Sequence, residues 1–61
     1  MDERVLLVED DPSIREVASL GLSQAGFRVT TSADGRDGLI QFRNQRFDLV
    51  VLDIMLPELD G

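Results

Sequence analysis

The residues of this chain best suited to chemistry are carboxylates that follow apolar runs. Val5-Leu6-Leu7-Val8 leads straight into Glu9, Asp10 and Asp11, and Leu49-Val50-Val51-Leu52 leads into Asp53. Acids ending two neighbouring parallel strands, which lie about 4.8 Å apart, converge on one point and repel one another. A cation relieves that repulsion. The chain has no His and no Cys, so its donors are hard oxygens, which select Mg2+ or Ca2+. Mg2+ manages with few carboxylates and several waters. Such an ion keeps positions open for phosphate oxygens and neutralises charge in phosphoryl transfer, so a carboxylate can serve as nucleophile. Asp53 is the best candidate nucleophile, because it ends an apolar strand and precedes an irregular loop. The competing reading is structural: Asp11, with Asp10 beside it, would simply cap a helix.

Composition narrows the rest. Sixty-one residues allow one small domain at most. Without Cys there is no disulfide framework, thiol nucleophile or Cys-ligated metal. Without His there is no His-bound zinc and no Ser-His or Cys-His pair. A net charge of −6 with no basic block argues against a nucleic-acid surface in this segment. The longest apolar stretches, Val5 to Val8 and Leu49 to Leu52, fall far short of the ~20 residues a membrane span needs. Asp2 and Glu3 stand where a signal peptide carries positive charge. A soluble, cytoplasmic protein is expected. Folding a chain of this length removes roughly 5,900 Å² of surface. If ~60% of it is apolar, burial contributes about 90 kcal/mol, and ordering the chain costs a similar ~90 kcal/mol. A chain so balanced is expected to need a partner or to be part of something larger.

The elements that must position the acids are legible. Val5 to Val8 is short, unalternating and β-branched at both ends, which suits a strand buried on both faces. Asp11-Pro12 reads as N-cap and first residue of a helix. Ile14, Val17, Ala18, Gly21, Leu22 and Ala25 form a one-face helical stripe. Gly26 would end that helix, with Phe27 folding back toward Leu22. Arg28 to Thr31 is a polar strand candidate, and Ser32-Ala33-Asp34-Gly35 breaks it and offers N-caps for a second helix. A second helix follows, roughly Arg36 to Asn44, carrying the apolar pair Leu39 and Phe42. Gly38 within it costs about 1 kcal/mol relative to Ala. Leu49 to Leu52 is a second buried-strand run, and Ile54 to Gly61 reads as an irregular loop. Phe27, Phe42 and Phe47 read as packing residues, and the six arginines as solvated charge.

The order strand-helix-strand-helix-strand with right-handed crossovers makes an α/β fold with a parallel sheet. The two most apolar strands, first and third, should be adjacent, with the polar second strand at the edge. That is order 2-1-3, the start of a flavodoxin-like sheet. A topological switch point then lies between the first and third strands, where ligands bind at the strands' carboxyl ends.

The stretches VLLVEDDPSIRE and FDLVVLDIMLPELDG, with GF-V-T-ADG between them, resemble the first half of a response-regulator receiver domain, especially the OmpR/PhoB-type transcriptional regulators. The resemblance covers residues 1–61 and implies a partial receiver domain, the first half of a doubly wound (βα)5 fold. It implies that Asp53 accepts a phosphoryl group from a sensor histidine kinase. It further implies that Asp10 binds Mg2+ directly, that Glu9 does so through water or as an outer contact, and that the backbone carbonyl of Met55 is another ligand. The thioether of Met55 is a poor Mg2+ ligand and is expected to pack. The implied role is a phospho-acceptor module of a two-component system, not an enzyme, in a parent that regulates transcription. Gly38 stands where the family usually has Ala. After Gly61 the family pattern continues with a third helix, a fourth strand with a switch Ser/Thr, a fifth strand with a phosphoryl-contacting Lys and an aromatic switch residue.

Two other functions compete. Haloacid-dehalogenase-type phosphotransferases also place a nucleophilic Asp after an apolar strand, but they want a second Asp two residues on, where this chain has Met55. Alternatively, a half-domain could act only as an interaction or assembly module. In order 2-1-3 the far side of the third strand carries no Lys or Pro to protect it. A second copy or a complementing half is expected to pair there.

Overall fold

The computed structural model describes residues 2–52. Strand β1 (Arg4–Val8) leads into helix α1 (Pro12–Gln24), strand β2 (Arg28–Ser32), helix α2 (Gly35–Asn44) and strand β3 (Leu49–Leu52). The three strands form one parallel sheet in the order β2-β1-β3, as expected from their relative polarity.

β1 is the core. Val5, Leu6, Leu7 and Val8 are all buried, which is what an unalternating run does when it has a strand on each side and a helix over each face. Register fixes the faces. Val8 stands opposite both Ser32 and Leu52, and Leu7 opposite Thr31 and Val51. Partners across a parallel ladder share a face, so Leu6, Val8, Ser32, Val50 and Leu52 point one way and Val5, Leu7, Thr31 and Val51 the other. α2 lies over the first set, and α1 packs along β2 and β1 on the other.

Local chemistry sets the helix limits. Asp11 caps α1, its Oδ1 accepting from the N–H groups of Ser13 (2.9 Å) and Ile14 (3.1 Å), with Pro12 in the first turn. At the other end Phe27 N–H donates to Leu22 O (3.1 Å) and Gly26 N–H to Ser23 O (3.0 Å). That is the Schellman pattern, and it requires the positive φ of +104° that Gly26 adopts. Asp10 is not a cap; Asp11 takes that role alone among the three acids.

The structure corrects two expectations, on Ser32 and on the burial of β3, and refines others. Ser32 does not break β2 but ends it, buried at 3% exposure, because its hydroxyl finds acceptors (below). α2 begins at Gly35, within a residue of the rough Arg36 boundary, and its N-cap comes from the expected segment: Asp34 accepts from Asp37 N–H at 2.8 Å. The one-face stripe on α1 is part-covered: Ala18 and Leu22 are half-buried, while Ile14 and Val17 are exposed. β3 is not a buried strand. Leu49, Val50 and Leu52 are exposed, because among the described residues β3 has a neighbour on one side only. An open apolar groove of about 280 Å³ runs between α2 and the sheet, lined by Leu6, Val8, Leu39, Phe42, Val50 and Leu52. Phe42 is thus a wall of this groove, at the boundary of the packing.

Gly38 has a packing role. A Cβ built on it would lie 2.8 Å from Val8 Cγ2 and 3.6 Å from Ser32 Oγ. Its missing side chain lets α2 sit close on the ends of β1 and β2.

Candidate functional site

Parallel pairing brings the carboxyl ends of all three strands to one edge of the sheet. Val8, Ser32 and Leu52 end side by side, and the next residues in sequence after Val8 and Leu52 are Glu9 and Asp53. Asp53 and Met55 lie outside the described residues, as does the loop that contains them. The loop from β1 to α1 is described in full, and it gives its three acids three different fates.

Glu9 is buried, at 2% exposure, and serves to shape the loop. Its Oε2 accepts from the Asp11 N–H at 3.0 Å. Its own N–H donates to Ser32 O at 3.0 Å. Its carbonyl accepts from Arg15 Nη1 at 2.9 Å. Asp11 is committed to the helix cap. Asp10 is exposed, and among the described residues no hydrogen bond or ion pair engages its carboxylate. The acid predicted to be the direct ligand is therefore the one left open to solvent.

The neighbouring end of β2 is polar and ordered. Ser32 Oγ donates to Asp37 Oδ2 at 2.7 Å, with Asp34 O a second acceptor at 3.0 Å. A hydroxyl buried beside Val8 would otherwise lose its water, so these bonds tie the first turn of α2 to the strand end. The opposite edge of the sheet carries a clasp. Arg4 N–H donates to Asp48 Oδ2 (2.8 Å), and Asp48 N–H donates back to Arg4 O (2.8 Å). The Arg4 guanidinium donates to Gln45 Oε1 (2.7 Å) and lies 5.6 Å from the Phe47 ring centroid. That clasp holds the start of β3 to the start of β1, and so fixes which residue of β3 reaches the acidic edge.

Arg4 and Arg15 therefore depart from the expectation that all six arginines are solvated charge. The type of residue was visible in the sequence, but its target was not. Arg15 reaches a carbonyl six residues back across a loop, a relation with no helical or strand periodicity. Ser32 was similarly overlooked as a residue of the edge; the hint was its place directly after a β-branched run.

Comparison with known proteins decides the family. A family model described as the response regulator receiver domain matches residues 5–61. The chain belongs to the response regulator receiver family. Its relatives of the OmpR/PhoB type are transcriptional regulators. It is 54% identical over 57 residues to the transcriptional regulatory protein AfsQ1 of Streptomyces coelicolor, covering 93% of this chain and 25% of that protein. It is 55% identical over 58 residues to the transcriptional activator protein PfeR of Pseudomonas aeruginosa, covering 95% and 19%. Among solved structures, the chemotaxis response regulator CheY4 of Vibrio cholerae matches with a TM-score of 0.86 and 40% identity, over 93% of this chain and 48% of that one. This receiver chain thus spans a quarter or less of those transcriptional regulators and about half of the chemotaxis protein. Its sheet order is that of the flavodoxin-like receiver fold. No helix among the described residues is long and apolar enough to cross a membrane.

Proposed function

We propose that this chain is the acid-pocket half of a phospho-acceptor receiver, with Asp53 as the acceptor. The observation that carries the reading is the ladder register. Leu52 stands opposite Val8, so the strands whose sequences run on into Asp10 and Asp53 end side by side at the switch point. The phosphoryl donor is a sensor histidine kinase. A carboxylate oxygen of Asp53 attacks the phosphorus of a phosphohistidine, the P–N bond breaks, and the imidazole leaves as an acyl phosphate forms. The parent acts in the cytoplasm and regulates transcription.

The donor set fits Mg2+. It is all oxygen, with the exposed, unengaged Asp10 carboxylate as the direct ligand, Glu9 buried behind it, and Asp53 and the Met55 carbonyl as the further donors proposed. When bound, the ion supplies charge neutralisation for phosphoryl oxygens. Glu9 supports the site by fixing the loop, its Oε2 accepting from the Asp11 N–H.

Incubation with acetyl phosphate and Mg2+, read by intact and peptide mass spectrometry, tests the reading. Slow, substoichiometric phosphorylation at Asp53, lost in Asp53→Asn and Asp10→Asn, is expected. In the family a Lys and a hydroxyl from later strands hold the phosphoryl oxygens, and such electrostatic stabilisation is worth several kcal/mol of barrier. Phosphorylation that persists in Asp53→Asn would overturn the assignment.

A second reading is favoured by one observation: β3 presents Leu49, Val50 and Leu52 to solvent along a strand with one neighbour among the described residues. Such an edge is a template for pairing. A second copy or a complementing half of the domain would dock there, and the chain would then act as an assembly module without phosphotransfer.

A further inference from the structure

We infer that Arg15 is a positioning residue for Asp10, acting through the backbone of Glu9; the inference rests on the Mg2+ reading above. Arg15 lies on α1, is half-buried, and sends Nη1 back to Glu9 O at 2.9 Å. Its own N–H donates to Asp11 O at 2.8 Å. That backbone bond is the first turn of α1 and fixes Asp11 O whatever the side chain, whereas the guanidinium bond is specific to Arg15 and holds the loop just before Asp10. Glu9 is also held by Ser32 O through its N–H and by Asp11 N–H through its carboxylate. Both peptide neighbours of Asp10 are fixed, and only its side chain is free to meet a ligand. The structure therefore presents Asp10 from a locked backbone, at an edge where three consecutive acids would otherwise repel one another and splay.

Arg15 has two effects on a cation, and they differ in sign. Its fixed positive charge repels a divalent ion. A unit charge about 8 Å from a divalent ion in water-like surroundings weakens binding by only a few-fold. Its hold on the loop strengthens binding. Losing an outer contact that orients a metal ligand typically costs 10–100-fold in affinity. If Arg15 were charge alone, removing it would tighten Mg2+ binding. As a positioning residue, removing it loosens binding despite the lost repulsion.

The test uses the whole chain and two readouts: amide exchange at Asp11, whose N–H bonds to Glu9, and an NMR-detected Mg2+ titration following the Asp10 amide. Arg15→Met keeps the apolar stem and removes the donor and the charge. It is expected to speed Asp11 exchange about 10-fold and weaken Mg2+ binding about 10-fold, with α1 helicity unchanged by circular dichroism. Arg15→Lys restores charge and a single donor, and is expected to recover part of both. Asp10→Asn should abolish the titration and leave Asp11 exchange unchanged. Unaltered Asp11 exchange in Arg15→Met, or binding equal to or tighter than wild type, overturns the inference. No Mg2+ binding by the wild type, with Asp11 exchange still sensitive to Arg15, would sink the Mg2+ reading and leave the loop-positioning role standing.

Discussion

Replacing Gly38 with alanine sets two effects of opposite sign against each other. Alanine in a helix interior is worth about 0.8–1 kcal/mol over glycine. The same methyl, however, would stand 2.8 Å from Val8 Cγ2, closer than carbon atoms pack. Val8 is buried in β1 and β-branched, so its χ1 is restricted and relief requires a shift of α2 away from the sheet. Overpacking of that kind costs about 1–3 kcal/mol. The net expectation is a loss of about 1 kcal/mol, or roughly 4–8 °C in Tm for a domain of this size. Val8→Ala removes two buried methyl groups at about 0.8 kcal/mol each, costing about 1.6 kcal/mol. In the double variant the alanine methyl enters the space vacated at Val8 and the helix gain is recovered. The two substitutions should then couple favourably by about 2 kcal/mol. Urea unfolding of the four proteins, followed by circular dichroism with sucrose present to secure the folded baseline, measures the cycle. Coupling within ~0.5 kcal/mol of zero, or a Gly38→Ala variant stabilised by the full propensity gain, would refute the close approach of α2 to β1.

Three further outcomes are expected. Asp11→Ala removes the acceptor for the Ser13 and Ile14 N–H groups and should cost about 1 kcal/mol, with Asp11→Asn close to wild type; equal urea midpoints for all three proteins would deny the cap. Asp48→Ala leaves Arg4 N–H to water at an exposed site and should cost about 0.5–1.5 kcal/mol, whereas Asp48→Asn keeps an oxygen acceptor and should recover most of it. If β3 pairs with a second copy, sedimentation velocity across concentration will show association that Val50→Lys suppresses, because a charge on an exposed edge blocks pairing; a wild type that stays monomeric at every concentration rules this pairing out.

The sequence alone determined the elements and their order. The Asp11-Pro12 start and the Gly26-Phe27 stop are local signals, since each meets the helix end's hydrogen-bond needs within a few residues, and the Val5 to Val8 run is read from its unbroken apolar pattern. Strand order followed from relative polarity, and the acidic edge followed from strand order, so the acids at the end of β1 were legible as a candidate site. Their division of labour was not. Glu9, Asp10 and Asp11 are near-equivalent in sequence, and only the folded loop decides that Glu9 turns inward to Asp11 N–H, that Asp11 caps the helix and that Asp10 stays open. The same holds for Gly38, which reads as a weak helix residue until α2 is seen lying on Val8. It holds for Arg15, whose grip on Glu9 depends on how the loop turns. The exposure of β3 was not legible for a related reason. An apolar pattern says that a face seeks cover, but only the three-dimensional neighbours decide whether cover is there. Among the described residues β1 has strands on both sides and both helices packed on it, whereas β3 has one strand beside it and neither helix on it, and that separates the buried strand from the exposed one.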